Sequence, residues 1–456
     1  MSTRVHGPAT ALAAALVGLA LAAPAAAATL KVGRGKPYAT IGEAVAAAGE
    51  GDTIVVYGGR YTETVEITTP GLVLRAKQRV TWLPAVWRGR CLTLAPGADG
   101  AEVSGFRFST HGDALTVQAP GVRVVKCRFR GGDGISGAGG DDLVVSRCDL
   151  RSGGRAVDVD ASGVTLERTR IAHHDSGPVE IVGDDTVVDR VLLSGSTDDS
   201  GFELRGDRVR VERCRTRSTW NHGIVVRGDD CVVRRNVVEG LINDPGIEVD
   251  GDRALVEDNV VSGSLRYPGI DVDGQAFTVR GNRVLDSADS FPAIVAGNGA
   301  GTGGQAVLAD NVVVGSGMHG IEVFGQGVLV TGNRVEDCAR TGFMVFGAGH
   351  RLERNVVVGA GEHGFRVDAA GVTLVDCVAL ECETDGFRIV ASATGVVLDG
   401  CRASGAAACG LHNSGTAAFT GCTFTGCRVD VADDGTLTDG GGNTFTTGGT
   451  DSPPVD

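Results

Sequence analysis

Apolar and polar residues alternate along most of this chain in short stretches that recur about every 22 residues. The segments ALVEDNVV, FTVRGNRV, AVLADNVV, VLVTGNRV and HRLERNVV share one pattern. Apolar residues hold every second position, an Asn follows, and an apolar residue returns two places later. The Asn positions are Asn236, Asn259, Asn282, Asn311, Asn333 and Asn355. Cys127, Cys148, Thr169, Val191 and Cys214 hold this slot earlier, and Cys377, Cys401 and Cys422 hold it later. A second recurring segment reads GIVVRG, GIEVDG, GIDVDG, GIEVFG, GFMVFG and GFRVDA. Its Ile/Phe-x-Val core puts two side chains on one face of a strand and the middle one on the other.

Each unit therefore reads as strand, turn, strand, Asn or Cys, short strand and loop, with no room for a helix. One such unit cannot bury its own apolar face, but stacked units form a continuous core. The pattern predicts an all-β chain, a single-stranded right-handed parallel β-helix (solenoid) of about fourteen or fifteen coils. At ~4.8 Å per coil the rod is roughly 70 Å long. Leucine-rich repeats are excluded because no Leu ladder recurs, and left-handed hexapeptide helices because no six-residue period appears. Stacking places slot residues above one another. An Asn there is expected to take the left-handed turn between strands and to bond the amides above and below it.

The segment TIGEAVAAAGEGDTIVVYGGRYTETVEI, Thr40 to Ile67, opens the array differently. Thr40 and Glu43 have capping-box spacing, and Ile41, Ala44, Val45 and Ala48 form an apolar stripe. A short N-terminal capping helix is expected to plug the open end of the solenoid. This opening, with the repeats, resembles pectin-lyase-like β-helix proteins. The resemblance covers nearly the whole chain beyond residue 28 and implies the fold. It implies no single activity, since that class contains lyases, hydrolases, epimerases and non-enzymes. It also implies a substrate groove on the sheet formed by the Ile/Phe-x-Val strands and their loops. Residues 1–28 read as a signal peptide: a weakly basic start, an apolar Ala-rich run, then small residues. Residues 29–445 are assigned to the β-helix, with cap and first strand at 29–60, and 446–456 to a disordered tail. The expected location is export, to the cell surface, periplasm or medium. No later stretch is apolar enough for a membrane span.

The 71 Gly residues and the 5% aromatic content suit many short strands joined by tight turns. The net charge of −14 argues against nucleic acid or an anionic membrane as partner. The twelve Cys lack any Cys-x-x-Cys spacing, so zinc or redox chemistry has little support, and the stacked slot cysteines are read as free thiols. His173 and His174 are adjacent, and neighbouring side chains seldom point the same way, so a solvated loop is the better reading than a metal pair.

The middle residue of each Ile/Phe-x-Val strand should form an outward column. It runs Asp158, Glu180, Glu203, Val225, Glu248, Asp271, Val295, Glu322, Met344, Arg366, Arg388, His412. Asp250 and Asp273 lie two places beyond Glu248 and Asp271. These four carboxylates form a square on adjacent coils, which is costly unless protons or a cation relieve it. Ca²⁺ is the expected cation, with Glu248, Asp250, Asp271 and Asp273 as ligands, and no other cofactor is implied. Paired carboxylates at this spacing can also cleave glycosidic bonds. The catalytic candidates are Glu248, Asp271, His222 and Arg227, the last two as the base if the reaction is a lyase. Trp220, Tyr267, His319 and Glu322 are the substrate-binding candidates, the rings for stacking on sugars. Two readings follow: a secreted protein that binds and cleaves a polysaccharide or cell-surface glycan, as lyase or hydrolase, and a non-catalytic exported scaffold or adhesion protein. Polygalacturonase and alginate-epimerase motifs are absent, and all four Lys lie before residue 127, far from the square.

Overall fold

The computed structural model describes residues 26–196, 199–241, 243–264, 266–287, 289–297, 306–446 and 450–451. The expected leader lies almost entirely outside them. The chain winds as a parallel β-solenoid. A typical coil contributes Leu255–Glu257, Val260–Ser264 and Ile270–Asp273. The first two strands flank the slot and join a continuous sheet, and the third stacks in a second sheet. Among the described residues neighbouring strands are parallel, and along the middle of the rod they are in register: Ile224 pairs with Ile247, Ile247 with Ile270, and Ile270 with Ile294.

Among the described residues the second sheet holds eighteen strands, more than the fourteen or fifteen coils predicted. The additional coils stand at the ends, where the slot is disguised. Phe106 fills it below Cys127, because Arg107 pairs with Arg128. Asn443 fills it above Cys422, whose N–H donates to the Asn443 Oδ1 at 2.7 Å. Thr450–Asp451, within the segment read as a tail, pair with Val431 and Ala432.

The slot asparagines form an unbroken internal ladder. The Asn236 Nδ2 donates to the Asn259 Oδ1 at 3.0 Å, and the same step repeats through Asn282, Asn311, Asn333 and Asn355. Each Nδ2 also donates to a main-chain carbonyl, Val279 O at 2.9 Å for Asn311. Each Oδ1 additionally accepts the N–H of the preceding slot residue, Cys214 in the case of Asn236. Thus every polar atom of a fully buried amide is bonded, as burial demands. The slot itself is not the left-handed residue. That conformation belongs to the residue before it: Arg235 (φ 56°), Asp258 (φ 55°), Gly281 (φ 64°) and Asp310 (φ 53°). The turn thereby frees the Asn to point inward. Where Cys replaces Asn, its thiol makes the same inward bond, as Cys377 Sγ does to Leu352 O at 3.5 Å. All twelve cysteines are buried and free.

The helix Ile41–Ala47 covers the first coil, with the Thr40–Glu43 capping box in place. Ile41 and Ala44 are fully buried. The Glu63 carboxylate from the next turn accepts the Ile41 and Gly42 N–H groups at 2.9 and 2.8 Å, satisfying donors the helix cannot. No helix among the described residues is long and apolar enough to cross a membrane.

Candidate functional site

The middle residues of the second-sheet strands stack as the alternation requires: Glu203, Val225, Glu248, Asp271, Val295 and Glu322 are successive register partners. They are not a solvated ridge, since Val225 and Val295 are buried and the acidic members are half-buried. The cause is a second column, three residues earlier, in the loop that leads into each strand. Its members reach back over the first: Arg155 to Asp158 and Glu180, His222 to Glu248, His319 toward Glu322, and Asp385 toward Arg388.

His222, Arg227, Glu248 and Asp271 come together at the middle of this groove. Glu248 Oε2 meets the His222 Nε2 at 2.7 Å, and Glu248 Oε1 accepts from the Arg227 Nη2 at 2.9 Å. The His222 Nδ1 faces the Ser200 Oγ at 3.2 Å and Asp244 Oδ2 at 3.6 Å. The hydrogen bond to His222, then the charges of His222 and Arg227, hold Glu248 below the usual carboxylate range despite its burial. Its register partner Asp271 behaves oppositely. Burial, then the negative charges of Asp273 and Glu248, push its carboxyl up to about 7, with His222 pulling weakly the other way. Asp271 Oδ1 is buried without a hydrogen-bond partner. Asp244 is also raised, first by burial and then by Glu248 and Asp199, with His222 opposing.

Asp250 and Asp273 pair in register beside Glu248 and Asp271, so the four carboxylates do occupy adjacent places on two coils. Both oxygens of Glu248 are already bonded, however, and a cation shared by all four would compete with Arg227. The carboxylate, thiol and imidazole atoms that lie within 4.8 Å of one another belong elsewhere, to Asp385, Cys409 and His412. There the Arg388 guanidinium contacts the His412 Nδ1, and His363 stands 3.2 Å from Asp385. Asp385 thus faces the Arg388 guanidinium at 3.9 Å and the imidazoles of His363 and His412 at 3.2 and 3.6 Å. Asp385 leads into one strand and Cys409 and His412 sit on the strand stacked upon it, a juxtaposition that spacing along the chain did not reveal.

Of the aromatic candidates, Tyr267 lines a cleft beside the site, and Trp220 is exposed outside that lining. Trp220, Tyr267 and Phe291 are 44%, 36% and 41% exposed, high for such large rings. Tyr267 and Phe291 stack at 4.9 Å and 12°, beside Asp244 and Arg266 in a cleft of about 630 Å³. Phe291 was missed in the sequence, although YPGI and FPAI occupy equivalent places on successive coils. His319 and Glu322 stand apart, two coils beyond Asp271 with Val295 between. Burial lowers His319 and raises Glu322, and the His319 Nδ1 accepts the Thr341 N–H at 3.1 Å. His174 is structural: it is buried, and its Nδ1 lies 2.9 Å from Gly154 O.

The description "right handed beta helix region" matches residues 113–284 and 268–429, and the chain belongs to that family. No curated protein matches the chain by sequence. Among solved structures, the chain is similar to the catalytic unit of a thermostable GH87 α-1,3-glucanase from Streptomyces thermodiastaticus (15% identity, TM-score 0.35, covering 90% of this chain and 65% of that one). It is also similar to a PL6 alginate lyase in complex with trisaccharide (12%, 0.40, 92% and 88%). A third is PfbA, a surface adhesin of Streptococcus pneumoniae (11%, 0.36, 78% and 86%). The chain spans less than two thirds of the glucanase unit's own length. At these identities the likeness is one of fold alone.

Proposed function

We propose that this is an exported carbohydrate-active protein that seats a polysaccharide in the groove and hydrolyses a glycosidic bond between Asp271 and Glu248. One observation carries the reading: a buried, unbonded Asp271 carboxyl oxygen stands one coil from a carboxylate held ionised. Two carboxyls driven to opposite protonation states divide naturally into acid and base roles. A pair placed only for structure would have its oxygens bonded. Asp271 supplies its proton to the glycosidic oxygen as that bond breaks. Glu248 attacks the anomeric carbon as the leaving group departs, forming a glycosyl ester that water then cleaves to restore the carboxylate, with Asp271 taking back a proton. Strand spacing of ~4.8 Å is close to the ~5–5.5 Å of carboxyl pairs that act by double displacement with retention. His222 and Arg227 keep Glu248 ionised, and Tyr267 with Phe291 offers an apolar ledge for a sugar face.

The charge balance favours hydrolysis of a neutral glycan over elimination from a uronate. Asp244, Glu248, Asp250 and Asp273 outnumber the guanidiniums of Arg227 and Arg266 here, so a substrate carboxylate would meet net repulsion. The test is a panel of neutral and uronate polysaccharides, reading reducing ends and unsaturated products. New reducing ends on a neutral glycan, lost in Asp271→Asn and Glu248→Gln, support the reading. Unsaturated product, or activity that survives both substitutions, overturns it. Absence of any glycan binding leaves the exported scaffold as the function.

A further inference from the structure

The N-terminal end of the rod is chemically unlike its middle. Residues 29–130 carry fourteen Lys and Arg against eight Asp and Glu, in a chain of net charge −14. On the first sheet this excess converges. Thr81, Arg107 and Arg128 are successive register partners, as are Ser109 and Arg130. Together with Arg79 and the buried ring of Phe108 they line a concavity of about 200 Å³. Among the described residues none of Arg79, Arg107, Arg128 and Arg130 is in an ion pair. Asp149, the register partner of Arg128, is taken by Arg151 at 2.6 Å. The arrangement is costly: slight burial and the three neighbouring guanidiniums press Arg107 below its ordinary range. Mid-rod arginines are treated differently. Arg205, Arg208, Arg213, Arg227 and Arg253 each meet a carboxylate.

We propose that Arg79, Arg107, Arg128 and Arg130 form a binding site for a tetrahedral oxyanion, a phosphate or sulfate group, either free or as an ester on a glycan. The protein's own pairs set the scale. Glu239, with two oxygens, takes two arginines, Arg215 and Arg217. Four converging guanidiniums exceed what one carboxylate satisfies. A group with three or four oxygens and up to about two negative charges matches them, and guanidinium forks bind it bidentately. Thr81 and Ser109 add hydroxyl donors at the rim. The lining offers no exposed ring for a base to stack on, so nucleic acid fits poorly.

The experiment measures binding of the whole protein to inorganic phosphate, dextran sulfate, uncharged dextran, polygalacturonate and a single-stranded oligonucleotide. The variants are the triple Arg107→Gln/Arg128→Gln/Arg130→Gln and a control triple that removes equal charge elsewhere, Arg283→Gln/Arg402→Gln/Arg428→Gln. We expect phosphate and dextran sulfate to bind, at least tenfold more weakly to the first triple and unchanged to the control. Tighter binding of dextran sulfate than of phosphate identifies the ester, and equal affinity identifies the free ion. The proposal is overturned if neither binds, if both triples weaken binding equally, or if polygalacturonate or the oligonucleotide binds as well as dextran sulfate. Melting curves of the first triple show whether it is folded. If it is not, Arg107→Lys takes its place, retaining charge but losing the fork, with the same tenfold criterion.

Discussion

Glu248 and Asp271 are register partners one coil apart, yet the first is held ionised by His222 and Arg227 while the second keeps its proton to about pH 7. This difference has a consequence for stability. In the unfolded chain an Asp loses its proton near its ordinary value of 3.8, but native Asp271 keeps its proton until about 7. The native state therefore binds the extra proton throughout that window, and stability falls as pH rises from about 4 to about 7. Asp271→Asn escapes the loss. We expect its melting temperature to match wild type near pH 4 and to exceed it increasingly toward pH 8, by roughly 1–4 kcal/mol in free energy. A gap that does not change with pH would contradict the assigned burial.

The same pair sets the pH dependence of hydrolysis. Activity should fall above about pH 7 as Asp271 loses the proton it must donate. The acidic limb belongs to Glu248 and lies below the ordinary glutamate value of 4.5. Removing the imidazole in His222→Ala takes away the largest influence holding Glu248 down, so the acidic limb should move to higher pH while the alkaline limb moves little. Profiles of kcat/KM for the two proteins check this.

The ladder carries a separate expectation. Asn311→Ala strands the Asn282 N–H and Nδ2, which both donate to the Asn311 Oδ1 at 3.0 Å, and the Val279 carbonyl. The cost should be roughly 1–3 kcal/mol. Asn311→Cys should cost less, because slot cysteines elsewhere keep the bond to the carbonyl below. An unchanged denaturant midpoint for the Ala variant would show that the buried amides find other partners.

Tyr267 and Phe291 should act together on binding. Replacing either with Ala removes one half of the stacked ledge, and we expect about tenfold weaker binding of the preferred glycan from an aromatic contact of ~1.4 kcal/mol. The two losses should be non-additive, since each ring holds the other in place. Isothermal titration with the single and double variants measures this, and additive losses would separate the rings.

The solenoid was legible because alternation and the 22-residue period are properties of single strands and their stacking. Glu248 over Asp271 followed from the same arithmetic. The end coils were not legible, since Phe106 puts a new residue type in the slot and Asn443 follows Gly440, Gly441 and Gly442 rather than an alternating strand. The left-handed turn was placed one residue late, because Asn suits both that conformation and an inward ladder, and only φ values separate the two. The half-burial of the outward column was not legible, because loop residues that fold back over a column leave no period-2 trace. The recurring position three residues before each column member, from Arg155 and His222 to His319 and Asp385, is the signal that could have revealed it.

Between the ionisation of Glu248 and about pH 7 the two neighbouring carboxyls stand in opposite protonation states. Carboxyl titration by difference infrared spectroscopy or carbon-13 NMR tests it directly, comparing wild type with Asp271→Asn and Glu248→Gln. The expected result is one protonated carboxyl signal that titrates near pH 7, disappears in Asp271→Asn, and shifts to lower pH in Glu248→Gln because a neighbouring charge is gone. A wild-type protein in which every carboxyl has ionised by about pH 5, or a neutral-range signal that survives Asp271→Asn, would contradict it.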